Sequence, residues 1–172
     1  MVGAQVVNAV VAIADKYLVT DKKQLSSPFV YAYYTSLVTA FWLLVYFLGF
    51  IPFFQDYGLP SLYNIQIPTL EVVALAFFSA YTFFMALVSL YGTLKRADTS
   101  DVMPVVGAVS AISTFGLSFL FLGTHHSPDF VWGIALLAIG TFLVSHLRFS
   151  SNIALAAVHS GLFFALHYIA MK

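Results

Sequence analysis

The stretch Thr69–Leu94, TLEVVALAFFSAYTFFMALVSLYGTL, decides the fold class. After Glu71 it holds no charged residue until Lys95. Apolar side chains fall on every face of it, so no water-facing stripe remains. A membrane helix needs about 20 mostly apolar residues, each rising about 1.5 Å. Inside lipid every backbone polar group must find its partner within its own segment, which a helix achieves. A barrel strand would alternate polar and apolar residues over about 10 positions, and this run does not.

Working outward, five more segments of this kind appear: Val2–Val19, Pro28–Phe50, Asp101–Leu122, Pro128–Leu147 and Asn152–Met171. The expected fold is therefore all-α, a polytopic transmembrane helix bundle of about six helices. Composition agrees. Of 172 residues, 61% are hydrophobic and 8% charged, against about 25% charged in a soluble domain. A single soluble core of this size cannot hide that much apolar surface, so the bilayer is the expected solvent and partner. The predicted location is the inner or plasma membrane, with multiple passes.

Charge and motif content exclude several classes. Net charge is zero, so there is no basic face for nucleic acid. Cysteine is absent, which removes disulfides, thiolate catalysis and cysteine zinc sites. No cofactor is expected, and no phosphate-cradling Gly-x-x-x-x-Gly-Lys-Ser/Thr loop is present. The apolar stretch from Val2 lacks a positive leader region and a small-x-small cleavage site, and reads as a mature helix.

The breaks have local causes. Lys22, Lys23 and Gln24 end the first segment, and Ser26-Ser27-Pro28 starts the second. Pro52 to Pro68 is the longest loop, with Gln55, Asp56, Gly58 and Asn64. Lys95 to Ser100 is a tight polar turn, Gly123 to Ser127 another, and Ser145 to Ser151 the last. With six spans, Lys16, Lys22, Lys23, Lys95, Arg96 and Arg148 all fall on one side. The positive-inside rule makes that side cytoplasmic and puts the N-terminus outside.

Setting Asn8 on His159 aligns Ala14-Asp15-Lys16-Tyr17-Leu18 with Ala165-Leu166-His167-Tyr168-Ile169. Five helices are then followed by a sixth that resembles the first. Because five is odd, a second copy would insert upside down, the plan of inverted-repeat transporters with a midplane site. The expected organisation is a five-helix unit over residues 1–150 and the first helix of a second unit over 151–172. The chain is then a piece of a longer protein or a half-size protein needing a partner chain, the first being the preferred reading.

Leu94-Lys-Arg-Ala-Asp-Thr-Ser-Asp-Val-Met-Pro104 is followed by a helix ending Ser118-Phe-Leu-Phe-Leu-Gly123. Then come Ser127-Pro128, Gly133 and Ala138-Ile-Gly140-Thr-Phe-Leu-Val-Ser145. In order and spacing this resembles the EamA-like repeat of the drug/metabolite transporter superfamily over about Tyr91–Ser145. The pattern differs after Leu122-Gly123, where Thr124-His125-His126 stand in place of the family's acidic residue. The resemblance implies ten helices in inverted five-helix halves and movement of small metabolites. It also implies a cytoplasmic N-terminus, opposite to the charge count, and both orientations stay open.

Candidate site residues are Asn8, Asp15, Ser79, Tyr81, Pro104, His159 and Ser160. Asn8 and Asp15 share roughly one helix face. An ionisable group inside a membrane segment marks a proton or cation site by default, although Asp15-Lys16 also reads as an interfacial pair ending its helix. Asn8 is either a cavity group or an interhelical hydrogen bond. His159 and Ser160, with His167 two turns on, are a proton relay or a neutral bonded set. As repeat equivalents, Asn8 and His159 are expected to face one central cavity.

Ser79, Tyr81, Thr82 and Ser89 put hydroxyls in an apolar helix, as a polar path or as glue. Glu71 suits a helix N-terminus. Pro104 is a hinge candidate, with Gly107, Ser110, Ser113, Thr114 and Gly116 behind it as a close-packing face. Tyr31, Tyr33, Tyr34, Trp42 and Trp132 read as interface anchors or packing groups, with stacking on an aromatic substrate as the other option. His125-His126 with Asp129 reads as a solvated loop, and no metal site is expected.

The expected function is a carrier moving a small metabolite by alternating access, without enzymatic activity. Its cavity would lie between the first, third, fourth and sixth segments. A membrane scaffold is the alternative. A minor one is an intramembrane serine hydrolase built on Ser118 and His159.

Overall fold

The computed structural model describes residues 2–20, 27–51, 53, 60, 66–124, 127–145 and 151–172. Among them the regular structure is helical and contains no strand. In chain order the helices are α1 (Val2–Thr20), α2 (Pro28–Thr39), α3 (Leu43–Leu48), α4 (Leu70–Leu94), α5 (Thr99–Leu122), α6 (Pro128–Ser145) and α7 (Ser151–Ala170). One 3₁₀ turn, Ala40–Trp42, joins α2 to α3 into a single rod. Among the described residues four stretches are long and apolar enough to cross a bilayer: Pro28–Leu48, Leu70–Leu94, Thr99–Leu122 and Ile153–Ala170. Pro128–Thr141 is apolar but shorter. By length and composition the chain is a membrane protein.

The helix ends follow from single residues. Thr69 is extended, and its hydroxyl accepts the Val72 N–H at 3.4 Å, capping α4. Glu71 is exposed in that first turn, as a carboxylate complementing the helix dipole should be. Pro28 opens α2 behind an extended Ser27, where its missing N–H removes nothing. Gly123 ends α5 in the left-handed region at φ 59°, which favours glycine. The Ser118 carbonyl accepts the Gly123 N–H and, at 3.4 Å, that of Thr124.

One turn is shorter than expected. Asp98 is extended at ψ 145°, and its carbonyl accepts the Asp101 and Val102 N–H groups at 3.1 and 3.0 Å. Thr99 and Ser100 therefore already belong to α5. Pro104 sits inside α5 without ending it. It lies early enough in the helix that the hydrogen bond it removes is one to the opening turn. Most of the Pro52–Pro68 loop, Lys22, Lys23, His125, His126 and Arg148 lie outside the described residues, as does the Trp42 side chain.

Packing centres on α7, which lies between α4 and α5 and has its main contacts with those two helices. α4 and α5 touch each other little, although a tight turn joins them. The wedge is possible because α7 presents Ala157, Ser160, Gly161 and Ala165, all buried. A Cβ at Gly161 would lie 2.8 Å from the Val106 carbonyl oxygen, so glycine sets how closely α7 approaches α5. α2 packs on α4 and α6 on α5, while α1 makes limited contact with α4 and α5. The buried centre joins Leu87, Leu90, Tyr91 and Leu94 of α4 to Val102, Val105 and Val106 of α5. Long apolar side chains elsewhere are exposed: Leu70 is 85% and Phe77 73% accessible, which suits lipid as their solvent.

Candidate functional site

The loose seating of α1 leaves space beside it. A cavity of about 840 Å³ lies between α1, α4, α5 and α7. Its wall includes Asn8 and Asp15 of α1, Tyr91 of α4, Thr99, Ser100 and Pro104 of α5, and Phe164 of α7. A second cavity of about 750 Å³ adjoins it, sharing Asn8, Leu90, Met103, Gly107 and Phe164. This one reaches along α5 past Ser110, Thr114 and Ser118, one turn apart on one helix face, to Phe130 of α6. These are the helices formed by the first, third, fourth and sixth sequence segments, with α6 at one edge.

Asp15 and Lys16 are not paired with each other. The Tyr31 hydroxyl of α2 donates to Asp15 Oδ1 at 2.5 Å. The Tyr31 ring stands edge-on to Tyr91, centroids 4.6 Å apart. Lys16 Nζ donates to the carbonyls of Leu94 and Ala97, both at 2.6 Å. These carbonyls close the C-terminal end of α4, where a cation satisfies free acceptors and the negative dipole end together. Asp15 therefore sits level with the α4–α5 turn, and Asn8, seven residues back, lies about 10 Å further along the helix.

The expected site residues divide into two groups. Asn8, Asp15 and Pro104 meet at the larger cavity. Ser79, Tyr81, His159 and Ser160 line neither of the two adjoining cavities. They belong to the seam where α4 and α7 run antiparallel. There Ser79 Oγ lies 2.8 Å from His167 Nδ1 and Ser89 Oγ lies 2.8 Å from His159 Nδ1. Between these pairs the Ser160 hydroxyl donates to the Ala86 carbonyl at 2.9 Å, fully buried. The expectation that Asn8 and His159 share one cavity therefore differs from the structure. Sliding the two helices into sequence register places them as equivalents, but α7 is wedged between α4 and α5 while α1 lies outside that wedge.

Tyr81 is exposed and stands edge-on to Phe163, centroids 6.5 Å apart. Thr82 bonds back to the Phe78 and Ser79 carbonyls. Tyr33, Tyr34 and Trp132 are exposed, whereas Tyr31 is partly buried and bonded.

Ser118 and His159 are not brought together. Ser118 donates to the Phe115 carbonyl of its own helix at 2.9 Å, and His159 pairs with Ser89. Gly107 and Gly116 have no heavy atom within 4 Å of an added Cβ, so close helix approach does not explain them. The close-approach glycine is Gly161, which the sequence reading passed over. Among the described residues no three His, Asp or Glu side chains gather as a metal site would need.

Sequence reading also missed the two Ser–His pairs and the Tyr31–Asp15 bond. A usable signal existed for the pairs. Ser79 and Ser89 stand ten residues apart on one helix and His159 and His167 eight apart on another, spans that two antiparallel helices can bring face to face. Comparison with family models, with curated proteins and with solved structures gives no match to this chain.

Proposed function

We propose that the chain forms part of a secondary carrier for a small metabolite or drug-like solute, working by alternating access. The observation that carries this reading is the pair of adjoining cavities between α1, α4, α5 and α7. They hold about 840 and 750 Å³, and Asn8 borders both. Sites for small molecules are commonly of this size, with mostly apolar walls and a few placed polar groups. These four helices correspond to the first, third, fourth and sixth apolar segments of the sequence.

In this reading the chain crosses the membrane about six times. Residues 1–150 are a five-helix half resembling the EamA-like repeat, and 151–172 open an inverted second half. That second half, or a partner chain, closes the open side of the cavity in the inner or plasma membrane. Asn8 and the α5 hydroxyls at Ser110 and Thr114 hydrogen-bond the solute. Pro104 marks the place where α5 bends most easily. The α4–α7 seam holds the half together while the cavity changes access. No enzymatic step is assigned.

The test is thermal stabilisation of the purified chain in lipid nanodiscs by amino acids, nucleosides, sugars and organic cations. A ligand at about 100 times its dissociation constant adds about 2.7 kcal/mol, a readable shift. The carrier reading expects one class to stabilise wild type, and Asn8→Ala to remove that shift without lowering the unliganded midpoint. If no class stabilises the protein, the scaffold reading takes its place.

A further inference from the structure

We propose that the larger cavity takes a small organic cation with an apolar body, and that Asp15 is its counter-charge. This rests on the carrier reading and names the solute class for the same site.

Three observations converge. First, Asp15 is the one charged side chain among the described residues lining the larger cavity, the others being neutral. Second, the adjacent cation does not neutralise it. Lys16 is committed to two α4-end carbonyls at 2.6 Å each. The group that does reach the carboxylate is the Tyr31 hydroxyl at 2.5 Å, a donor that fixes its orientation and brings no positive charge to it. Third, the rest of the wall is mostly apolar, with Leu87, Leu90, Met103 and Phe164 prominent.

An anion entering this space meets a like charge. A neutral sugar finds few polar partners, chiefly Asn8, Thr99 and Ser100. A cation with an apolar body satisfies both features of the wall, and its attraction to the carboxylate is stronger where low-dielectric protein displaces water. Asp15 stands at the level of the α4–α5 turn, so the charged head stays near the membrane face, where holding a charge costs less than at the bilayer centre. The body points inward, and a hydrogen-bonding group about 10 Å from the charge would meet Asn8. The adjoining cavity carries a different charge, Lys172, beyond the shared Asn8.

The test compares benzyltrimethylammonium, benzyl alcohol and phenylacetate, which share a ring and differ in charge. Binding is measured on the purified chain in nanodiscs of zwitterionic lipid, for wild type, Asp15→Asn and Asp15→Glu. Wild type is expected to bind the cation at least tenfold more tightly than benzyl alcohol, and phenylacetate not at all. Asp15→Glu should retain that preference and Asp15→Asn lose at least tenfold in affinity for the cation. Added salt should weaken cation binding to wild type. Equal binding of cation and alcohol by wild type, or undiminished cation binding by a folded Asp15→Asn, overturns the proposal. The wild-type comparison decides even if the Asn variant does not fold. Should amino acids, sugars or nucleosides bind in an Asn8-dependent way while the cation does not, the cation assignment falls and the carrier site stands. Should nothing bind, both fall.

Discussion

The α4–α7 seam and the α1 side of the bundle handle polar groups in opposite ways. On the seam, Ser79 meets His167, Ser160 meets the Ala86 carbonyl and Ser89 meets His159. On the α1 side, the Thr114 hydroxyl is buried with no protein partner, beside a cavity that Asn8 and Ser110 also line. An unbonded buried hydroxyl in a membrane helix is unfavourable unless water or a solute reaches it. The contrast separates two uses of the same residue types. Paired polar groups along the seam tie α4 to α7, whereas in the carrier reading the unpaired Thr114 hydroxyl is left for water or a solute.

The largest effect that would break this contrast is at Gly161. Leucine there drives a side chain into Val106 and Val109, already 2.8 Å from an added Cβ. Overpacking of this kind lowers stability by about 1–3 kcal/mol. Equilibrium unfolding in mixed micelles should show it, and an unchanged midpoint would mean that α7 is not wedged as described.

Next in size is the coupling between Ser79 and His167. A double-mutant cycle with Ser79→Ala and His167→Phe should give about 0.6 kcal/mol, within the range for polar contacts between membrane helices. A coupling of zero would remove the seam's role as glue. Lys16→Met should lose about 0.3–1 kcal/mol by uncovering the end of α4. Its unfolding midpoint should therefore fall slightly, and one equal to wild type would argue against the Lys16 clasp. The smallest effect is expected at Gly107→Ala, where no neighbour lies within 4 Å and alanine is the better helix former. Stability should hold or rise slightly, and a clear loss would mean that the cavity is filled by protein.

Much of the helix pattern was legible in the sequence because lipid leaves the backbone little choice. Residues such as Thr69, Pro28 and Gly123 announce where helices start or stop, and the structure places ends within a residue or two of the expected ones. The Lys95–Ser100 turn is shorter than its sequence suggests, because Thr99 and Ser100 are loop-type residues that join the helix behind an extended Asp98. Helix neighbours were harder. Nothing local in α7 says that it enters between α4 and α5. That depends on Ala157, Ser160, Gly161 and Ala165 meeting Val106 and Ala86 across the bundle.

The candidate site was half legible for the same reason. Asn8 and Asp15 share a face of one helix, and periodicity alone places them together. Assigning His159 to that cavity required knowing which face of α7 meets α4, which a repeat alignment does not supply. Tyr31 is an interface anchor or packing group by sequence alone, because its bond to Asp15 depends on a contact with another helix.

If the carrier reading holds, the space beside α1 admits water-borne solute. The chain has no cysteine, so single cysteines can be introduced without background. Asn8→Cys, Ser110→Cys, Ser160→Cys and Phe77→Cys, each in liposomes, would be treated with a charged, membrane-impermeant thiol reagent. The cavity positions 8 and 110 are expected to react, while the seam position 160 and the lipid-facing position 77 are not. Positions 8 and 110 as unreactive as 77 would mean that the space is closed or filled with lipid, and would contradict the claim.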